Sequence, residues 1–270
     1  MKNDLFAEKY GPWALVTGGT SGLGEAFANQ IAEKGINLIL VARRADVLKS
    51  KSEEIQKRYG VEVRTIQVDL SSPNGYDQVI EATKDLDVGL FIPAAGLENN
   101  GIISSIDLAR ELALIQLNVS STFALTHHFV CKMAERGKGG VLLIASLAGH
   151  MPNPYLSNYA GSKAYVLNFG ASLHWEMKKK GVDVTVLSPG YMPTPMVANN
   201  GIDYSKLPMS PMSPNKVAEL GLDGLGKKAL VIPGGKNKMI VFNMKHFAGI
   251  SMAISSVGKM MEQALSPDKL

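Results

Sequence analysis

The stretch WALVTGGTSGLGEAF, residues 13–27, joins a short apolar run to a glycine-rich turn. Gly18, Gly22 and Gly24 lie where a strand would give way to a helix. Glycine lets the backbone approach a ligand closely, and free N–H groups at a helix start bind phosphate. A strand, a glycine turn and a helix in this order predict a dinucleotide-binding βαβ unit, and a tight turn without a ligand is the alternative.

Six further apolar runs follow along the chain, separated by longer helical patterns. Strands that alternate with helices indicate a parallel sheet, and runs that are apolar throughout indicate helices on both faces of that sheet. We therefore predict a Rossmann-type, doubly wound α/β fold with a seven-stranded parallel sheet, in a single domain over residues 1–270. The six runs are NLILVA (37–42), VEVRTIQV (61–68), VGLFI (88–92), GVLLIA (140–145), VDVTVLS (182–188) and ALVIP (229–233).

The charge distribution and the composition argue against several classes of function. The net charge is +4, but residues 224–261 hold six lysines and no acid, so the rest of the chain carries about −2. Arginines and aromatics are scarce near these lysines, so we expect no nucleic-acid partner. The N-terminal MKNDLFAEKYGPW lacks the apolar run of a secretory signal, so we expect a cytoplasmic protein. We expect the single cysteine, Cys131, to be buried as a small apolar residue, and the scattered histidines predict no metal site.

The stretch PYLSNYAGSKA, residues 154–164, places Tyr159 and Lys163 on one face of a predicted helix. The three residues between them are small enough to let a cofactor approach. An ammonium about 4 Å from a tyrosine hydroxyl favours the phenolate by roughly 4 kcal/mol at an effective dielectric of about 20, or about three pKa units. We therefore expect Lys163 to lower the pKa of Tyr159 towards neutrality, so that the pair can exchange protons.

Two further polar residues stand out. Ser146 follows the fifth apolar run, and the carboxyl ends of parallel strands line the ligand crevice, so its hydroxyl can donate to a substrate carbonyl. Asn118 lies in the middle of a helical pattern, where asparagine is unfavourable unless its side chain has a specific partner.

The glycine spacing T-G-x-x-x-G-x-G resembles that of the short-chain dehydrogenase/reductase family, and the resemblance extends over about residues 12–195. Asn118, Ser146, Tyr159 and Lys163 match the family's catalytic tetrad in order and approximate spacing. The resemblance implies hydride transfer between a nicotinamide and a carbonyl or alcohol, with Tyr159 as proton donor or acceptor and Lys163 also holding the nicotinamide ribose. It also implies that Asn118 opens its helix locally, and that helices near 111–136 and 155–178 form a homodimer or homotetramer.

The residues after the second apolar run indicate which cofactor binds. NAD-binding turns of this kind carry an acidic residue there for the ribose 2′-hydroxyl, whereas this chain has Arg43 and Arg44, which would pair with a 2′-phosphate. We predict NADP(H). Two arginines that merely solvate a helix start are the alternative, although positive charge is unfavourable at a helix N-terminus. The expected cofactor contacts are Gly18, Thr20, Ser21, Gly22, Leu23, Gly24, Arg43, Arg44, Asp69, Leu70, Ala95, Gly96, Tyr159, Lys163, Pro189, Gly190, Met192 and Thr194.

Some of these contacts rest on the resemblance. Asp69 matches an aspartate beside the adenine, with a helix cap as the alternative. Thr194 matches a residue that contacts the nicotinamide carboxamide. Residues 93–96 read Pro-Ala-Ala-Gly where the family usually has Asn-Asn-Ala-Gly, so the hydrogen bonds of two amides are missing.

Residues 190–214 contain five prolines and predict a substrate lid. Its methionines, Met192, Met196, Met209 and Met212, favour an apolar ketone such as a sterol, an acyl chain or an aromatic ketone, and core packing explains them equally well. The region around 173–196 looks somewhat like 3-ketoacyl and 17β-hydroxysteroid reductases. The alternative function is a non-catalytic NADPH-binding redox sensor or interaction module, which would not need the tetrad.

The C-terminal extension, residues 234–270, is basic and apolar, and its apolar segment is too short to span a bilayer. Packing against a sister subunit or the lid is the favoured interpretation. A peripheral membrane contact and the attraction of an anionic acyl carrier are the alternatives.

Overall fold

The computed structural model describes residues 2–198, 200–247 and 249–270. Its seven strands are β1 (Trp13–Thr17), β2 (Asn37–Ala42), β3 (Val63–Gln67), β4 (Val88–Pro93), β5 (Gly139–Ile144), β6 (Val182–Leu187) and β7 (Leu230–Val231). They form one parallel sheet in the order β3-β2-β1-β4-β5-β6-β7, which confirms the predicted Rossmann-type fold. The chain reverses its direction of winding between β1 and β4, and such a switch point leaves a ligand crevice at the carboxyl ends of the strands.

Ten α-helices lie within the described residues, and a π-helical segment, Gln116–Ser121, joins the fifth helix to the sixth. The ten α-helices are α1 (Lys2–Tyr10), α2 (Gly22–Ala32), α3 (Ala45–Tyr59), α4 (Gly75–Ala82), α5 (Leu108–Ile115), α6 (Thr122–Arg136), α7 (Ser157–Lys178), α8 (Pro214–Gly224), α9 (Gly235–His246) and α10 (Ile250–Ala264).

Both faces of the sheet are covered by helices. In β2, Leu38 and Leu40 pack into one apolar core, while Ile39 and Val41 pack into the core on the opposite face. Burying such a side chain stabilises the fold by about 1.5–3 kcal/mol, so a strand covered on both faces favours apolar residues at every position. For this reason polar and apolar residues do not alternate along the second run.

Two strands, β3 and β7, are three residues shorter than their sequence runs. β3 pairs only with β2, so it lies at the edge of the sheet and alternate positions of the strand are exposed. The strand covers Val63–Gln67 rather than residues 61–68. β7 pairs with β6 through Leu230 and Val231 alone, and Pro233 has no N–H to extend the ladder.

The prediction that Cys131 is buried is wrong, because its side chain is exposed. α6 turns Leu125, Phe129 and Met133 towards the core. Cys131 lies off that stripe, with its Sγ 3.9 Å from Nε2 of His127.

The C-terminal extension folds as α9 and α10. Val257 and Met261 of α10 pack with Leu156, Leu207 and Tyr159 in a third apolar cluster, which brings this helix against the crevice. None of the helices in the described ranges is both long enough and apolar enough to cross a bilayer.

Candidate active site

A cleft of about 620 Å³ opens at the carboxyl ends of the strands, where the switch point predicts it. All the positions predicted to contact the cofactor line this cleft, and Ser146 lines it as well. Asn118, only 1% exposed, lies behind its wall rather than on its surface. The structure therefore brings the two sets of predicted residues into one site.

The glycine turn forms the floor of one end of the cleft. A Cβ on Gly18 would lie 2.9 Å from Cα of Ala95, and a Cβ on Gly24 would lie 2.2 Å from the carbonyl oxygen of Gly18. Ser21 is the N-cap of α2, and its side chain forms no capping hydrogen bond. It therefore leaves the first backbone N–H groups of the helix free of a side-chain cap. This backbone cradle fits the pyrophosphate of a dinucleotide.

The end of β2 carries the two arginines. Arg43 and Arg44 are exposed and line the cleft, and Arg44 stands at the N-cap of α3. Guanidinium groups in this position fit an additional phosphate on the adenosine ribose better than a bare hydroxyl.

Asp69 lines the cleft after β3. Its Oδ1 accepts hydrogen bonds from the backbone N and the Oγ of Ser71, at 2.9 and 2.6 Å. The helix-cap alternative is wrong, because the N-cap of α4 is Asn74.

Asn118 and Thr17 hold the loop that follows β4. Asn118 Oδ1 accepts from the N–H of Leu97 at 2.9 Å, and its Nδ2 donates to Leu97 O at 2.8 Å and to Ser162 Oγ at 3.1 Å. Thr17 Oγ1 accepts from the N–H of Ala95 at 3.0 Å. These bonds fix the loop although the two usual asparagines are absent, and the helix around Asn118 widens into the π-helical segment.

Ser146, Tyr159 and Lys163 meet across the cleft from the glycine turn. Lys163 is 7% exposed, and its Nζ donates to Ile144 O at 3.0 Å and lies 5.8 Å from the centre of the Tyr159 ring. A Cβ on Gly96 would lie 3.8 Å from this Nζ, so the loop after β4 passes close to the lysine. The two reactive side chains are on the same face of α7, as their spacing predicts.

The expectation that Lys163 acidifies Tyr159 is wrong. Burial raises the pKa of Tyr159 well above its usual value, the negative charge of Glu98 raises it further, and only a hydrogen bond with Ser146 opposes these effects. Burial also lowers the pKa of Lys163 to about 8, although Glu98 acts in the opposite direction. Burial penalises the charged form of both groups. The phenol is therefore protonated at neutral pH, and the ammonium can release its proton slightly above neutrality.

Contrary to the prediction, the small residues between Tyr159 and Lys163 do not line the cleft. Nothing lies within 4 Å of a Cβ built on Gly161, so that position opens away from the site. Ser162 Oγ donates to Tyr159 O at 2.7 Å and accepts from Asn118 instead.

Glu98 is a site residue that the sequence patterns did not identify. It lines the cleft, half-buried, and its Oε1 accepts from Asn200 Nδ2 at 2.8 Å. Burial raises the pKa of Glu98. Asn200 Nδ2 also approaches the Tyr204 hydroxyl at 2.8 Å, and the Tyr204 ring stacks on Tyr191 with 4.0 Å between ring centres. An acid two residues after a cofactor-facing glycine is the only sequence signal that could have indicated it.

The other end of the cleft is apolar. Met192, Met196 and Met209 line it, whereas Met212 packs against the core formed by α2 and α8. The C-terminal helices add Ile240, Val257, Met260 and Met261 to the same wall. The described residues contain no cluster of three or more His, Cys, Asp or Glu that could hold a metal ion.

Two known proteins are similar to this chain in sequence. The 7beta-hydroxysteroid dehydrogenase of Clostridium sardiniense is 34% identical over 233 residues, which cover 86% of this chain and 89% of that protein. The very-long-chain 3-oxoacyl-CoA reductase of Rattus norvegicus is 35% identical over 190 residues, or 69% of this chain and 61% of that protein.

Solved structures are also similar to this chain in fold. A structure from work on 7beta-hydroxysteroid dehydrogenase stereoselectivity matches with a TM-score of 0.86 and 31% identity, over 93% of this chain and 98% of that one. A short-chain dehydrogenase from Sphingobium yanoikuyae in complex with NADPH matches with a TM-score of 0.78 and 26% identity, over 96% and 98%. The sequence profile of the short chain dehydrogenase family matches residues 12–205. The chain therefore belongs to the short-chain dehydrogenase family.

Proposed function

We propose that this protein is an NADP(H)-dependent oxidoreductase that reduces an apolar ketone to a secondary alcohol. The observation that carries the proposal is the convergence of Ser146, Tyr159 and Lys163 on a cleft that also holds a phosphate cradle and two arginines. Relatives named as hydroxysteroid dehydrogenase and 3-oxoacyl-CoA reductase act on the same pair of functional groups, a ketone and an alcohol.

The choice of NADP(H) rests on Arg43 and Arg44. Both residues follow β2 and line the same cleft as the glycine cradle, so their guanidinium groups would hold the 2′-phosphate of a bound dinucleotide. The Sphingobium yanoikuyae relative, which covers nearly the whole chain, was solved with NADPH. Charge complementarity and this likeness support the same cofactor.

The reaction assigns a separate task to each polar side chain. NADP(H), when bound, supplies or accepts the hydride. Tyr159 donates its hydroxyl proton to the oxygen on which negative charge develops, and Ser146 donates a hydrogen bond to the same oxygen. Lys163 releases a proton at slightly alkaline pH, so it can restore the proton that Tyr159 loses. Asn118 positions the loop after β4 and, through Ser162, the helix that carries Tyr159.

A rigid, apolar ketone of the hydroxysteroid class fits the substrate end of the cleft best. Methionines and aliphatic side chains form the far wall of the cleft, as is usual for a site that binds an apolar small molecule. The likeness to 7beta-hydroxysteroid dehydrogenases, which covers 86% of this chain in sequence and 93% in structure, supports the same substrate class.

The loss of NADPH absorbance with a panel of ketones tests the proposal. The panel contains a steroid ketone, a 3-oxoacyl thioester, an aromatic ketone and a ketose sugar, each with NADPH and with NADH. We expect the steroid ketone with NADPH to give the highest kcat/KM and the sugar to give no turnover. Tight NADPH binding without reduction of any ketone would contradict the proposal and favour the non-catalytic sensor.

A further inference from the structure

The junction of α9 and α10 carries a large apolar surface that the fold does not cover. Phe247 is 73% exposed and Ile250 is 70% exposed, and neither belongs to an apolar core of the described residues. An apolar surface of this kind usually marks an interaction site. We call the following six exposed side chains the C-terminal apolar patch: Met239, Phe242, Phe247, Ile250, Met252 and Ile254.

Exposed lysines lie near this patch in the sequence. Lys238 and Lys245 lie on the same face of α9 as Phe242, because residues three and four positions apart are neighbours on a helix. Lys236 and Lys259 are exposed nearby in the sequence, and residues 224–261 contain no acid. Within the described ranges, none of these four lysines forms an ion pair.

We propose that the C-terminal apolar patch and its lysines dock the protein on the surface of an anionic lipid bilayer. Helices with apolar side chains flanked by lysines bind at the headgroup layer, where the apolar groups enter the acyl boundary and the ammonium groups meet anionic lipids. α9 has 12 residues and α10 has 15, so each would lie along the bilayer surface.

A second copy of the chain is a poor occupant for this surface. In a two-fold dimer centred on the patch, the patch would face itself, and the lysines of one copy would meet the same lysines of the other copy. Residues 224–261 offer no acid to separate them. An anionic bilayer supplies both the apolar layer and the opposite charge.

The patch also has a structural connection to the cleft. Ile240 on α9 and Val257, Met260 and Met261 on α10 line the cleft, so the helices that would dock also form one of its walls. A lipophilic ketone could then pass from the bilayer into the site, a consequence that rests on the proposed function. The docking itself does not depend on any activity.

Sedimentation of the full-length protein with vesicles tests the docking without a substrate. Vesicles of mixed phosphatidylserine and phosphatidylcholine are compared with vesicles of phosphatidylcholine alone, at low and high salt. We expect binding only to the anionic vesicles, and weaker binding at high salt. Because each lysine near an anionic surface contributes roughly fivefold to binding, the double variant Lys238→Glu, Lys245→Glu should bind at least about 25-fold more weakly.

The double variant Phe247→Ser, Ile250→Ser should also lose vesicle binding while keeping its NADPH affinity and its circular dichroism. Matched controls are Leu5→Ser with Ile103→Ser for exposed apolar side chains, and Lys179→Glu with Lys180→Glu for exposed lysines. Both controls should bind vesicles as the wild type does.

Three results would overturn the proposal. They are the absence of sedimentation with anionic vesicles at low salt, an equal loss of binding in the controls, and a smaller oligomer in the Phe247→Ser, Ile250→Ser variant with vesicle binding unchanged. The last of these would identify the patch as a subunit interface.

Discussion

Tyr159 keeps its proton at neutral pH because its hydroxyl is buried and Glu98 lies nearby. A protonated phenol is a proton donor, so the site is prepared for ketone reduction. Alcohol oxidation requires the same hydroxyl to be deprotonated first, against burial and against the charge of Glu98. We therefore expect alcohol oxidation to require a higher pH than ketone reduction.

Glu98→Gln should change the pH dependence without removing a catalytic group. Loss of the negative charge lowers the pKa of Tyr159, because one of the effects that raise it disappears. We expect the rise of kcat/KM with pH for alcohol oxidation to move to lower pH. Glu262→Gln, which alters an exposed carboxylate bonded to Tyr155, is the control and should leave the profile unchanged. Coincident profiles for Glu98→Gln and the wild type would show that this charge does not act on Tyr159.

Arg43→Ala and Arg44→Ala should each weaken NADPH binding by roughly 10- to 100-fold, because hydrogen bonds to charged groups contribute about 1.5–3 kcal/mol. NADH lacks the 2′-phosphate, so its affinity should remain the same. Calorimetric titration of both dinucleotides measures the difference, with Arg58→Ala on α3 as the control. Equal losses for NADPH and NADH would rule out recognition of the phosphate.

At the scale of elements, the glycine turn places α2 directly on the end of β1. Gly24 allows this contact because a Cβ there would lie 2.2 Å from Gly18 O. The N-terminus of α2 is thereby held against the cleft, and the phosphate cradle depends on this packing.

Gly24→Ala should therefore displace α2, lower the free energy of unfolding by about 1–3 kcal/mol and weaken NADPH binding strongly. Gly161→Ala, in the interior of α7 with open space around it, should instead raise the free energy of unfolding by about 0.5–1 kcal/mol. Urea denaturation and NADPH titration of both variants provide the measurements. An unchanged Gly24→Ala variant would show that the turn tolerates a side chain.

Features with a local cause could be predicted from the sequence. The glycine turn, the apolar runs and the i, i+4 pair on α7 each follow from residues close together in the chain, and the structure has them in place. Asn118 can be identified from the sequence for the same reason, because an asparagine inside a helix needs a hydrogen-bond partner.

Features with a distant cause could not be predicted. Glu98 is held by Asn200, 102 positions away, and no pattern connects the two. The direction of the Tyr159 pKa shift depends on how deeply the completed fold buries the hydroxyl. Cys131 was assigned to the core because the apolar pattern of α6 does not reveal which side of the helix faces the sheet.

At the scale of the whole molecule, a second exposed apolar face covers α5, α6 and α7. Leu108 and Leu112 are exposed on α5, and Trp175 is exposed on α7. Phe123 on α6 packs against Phe169 on α7 with 5.5 Å between ring centres, so the face is continuous across two helices. We expect a homo-oligomer to form through this face.

Trp175→Glu and Leu112→Glu should reduce the molar mass measured by light scattering, because each places a charge in the apolar contact. Phe242→Glu, in the C-terminal apolar patch, is the control and should leave the molar mass unchanged. A wild-type molar mass in both α5 and α7 variants would show that the subunits associate elsewhere, or that the chain is a monomer.

The proton-donor role of Tyr159 is tested most directly by one comparison of Tyr159→Phe with the wild type, measuring ketone reduction and NADPH affinity on the same preparation. Loss of a general acid should lower kcat/KM by roughly 10²- to 10⁴-fold, while the NADPH dissociation constant stays the same because the ring remains in place. A phenylalanine variant that binds NADPH and reduces the ketone at the wild-type rate would contradict this role.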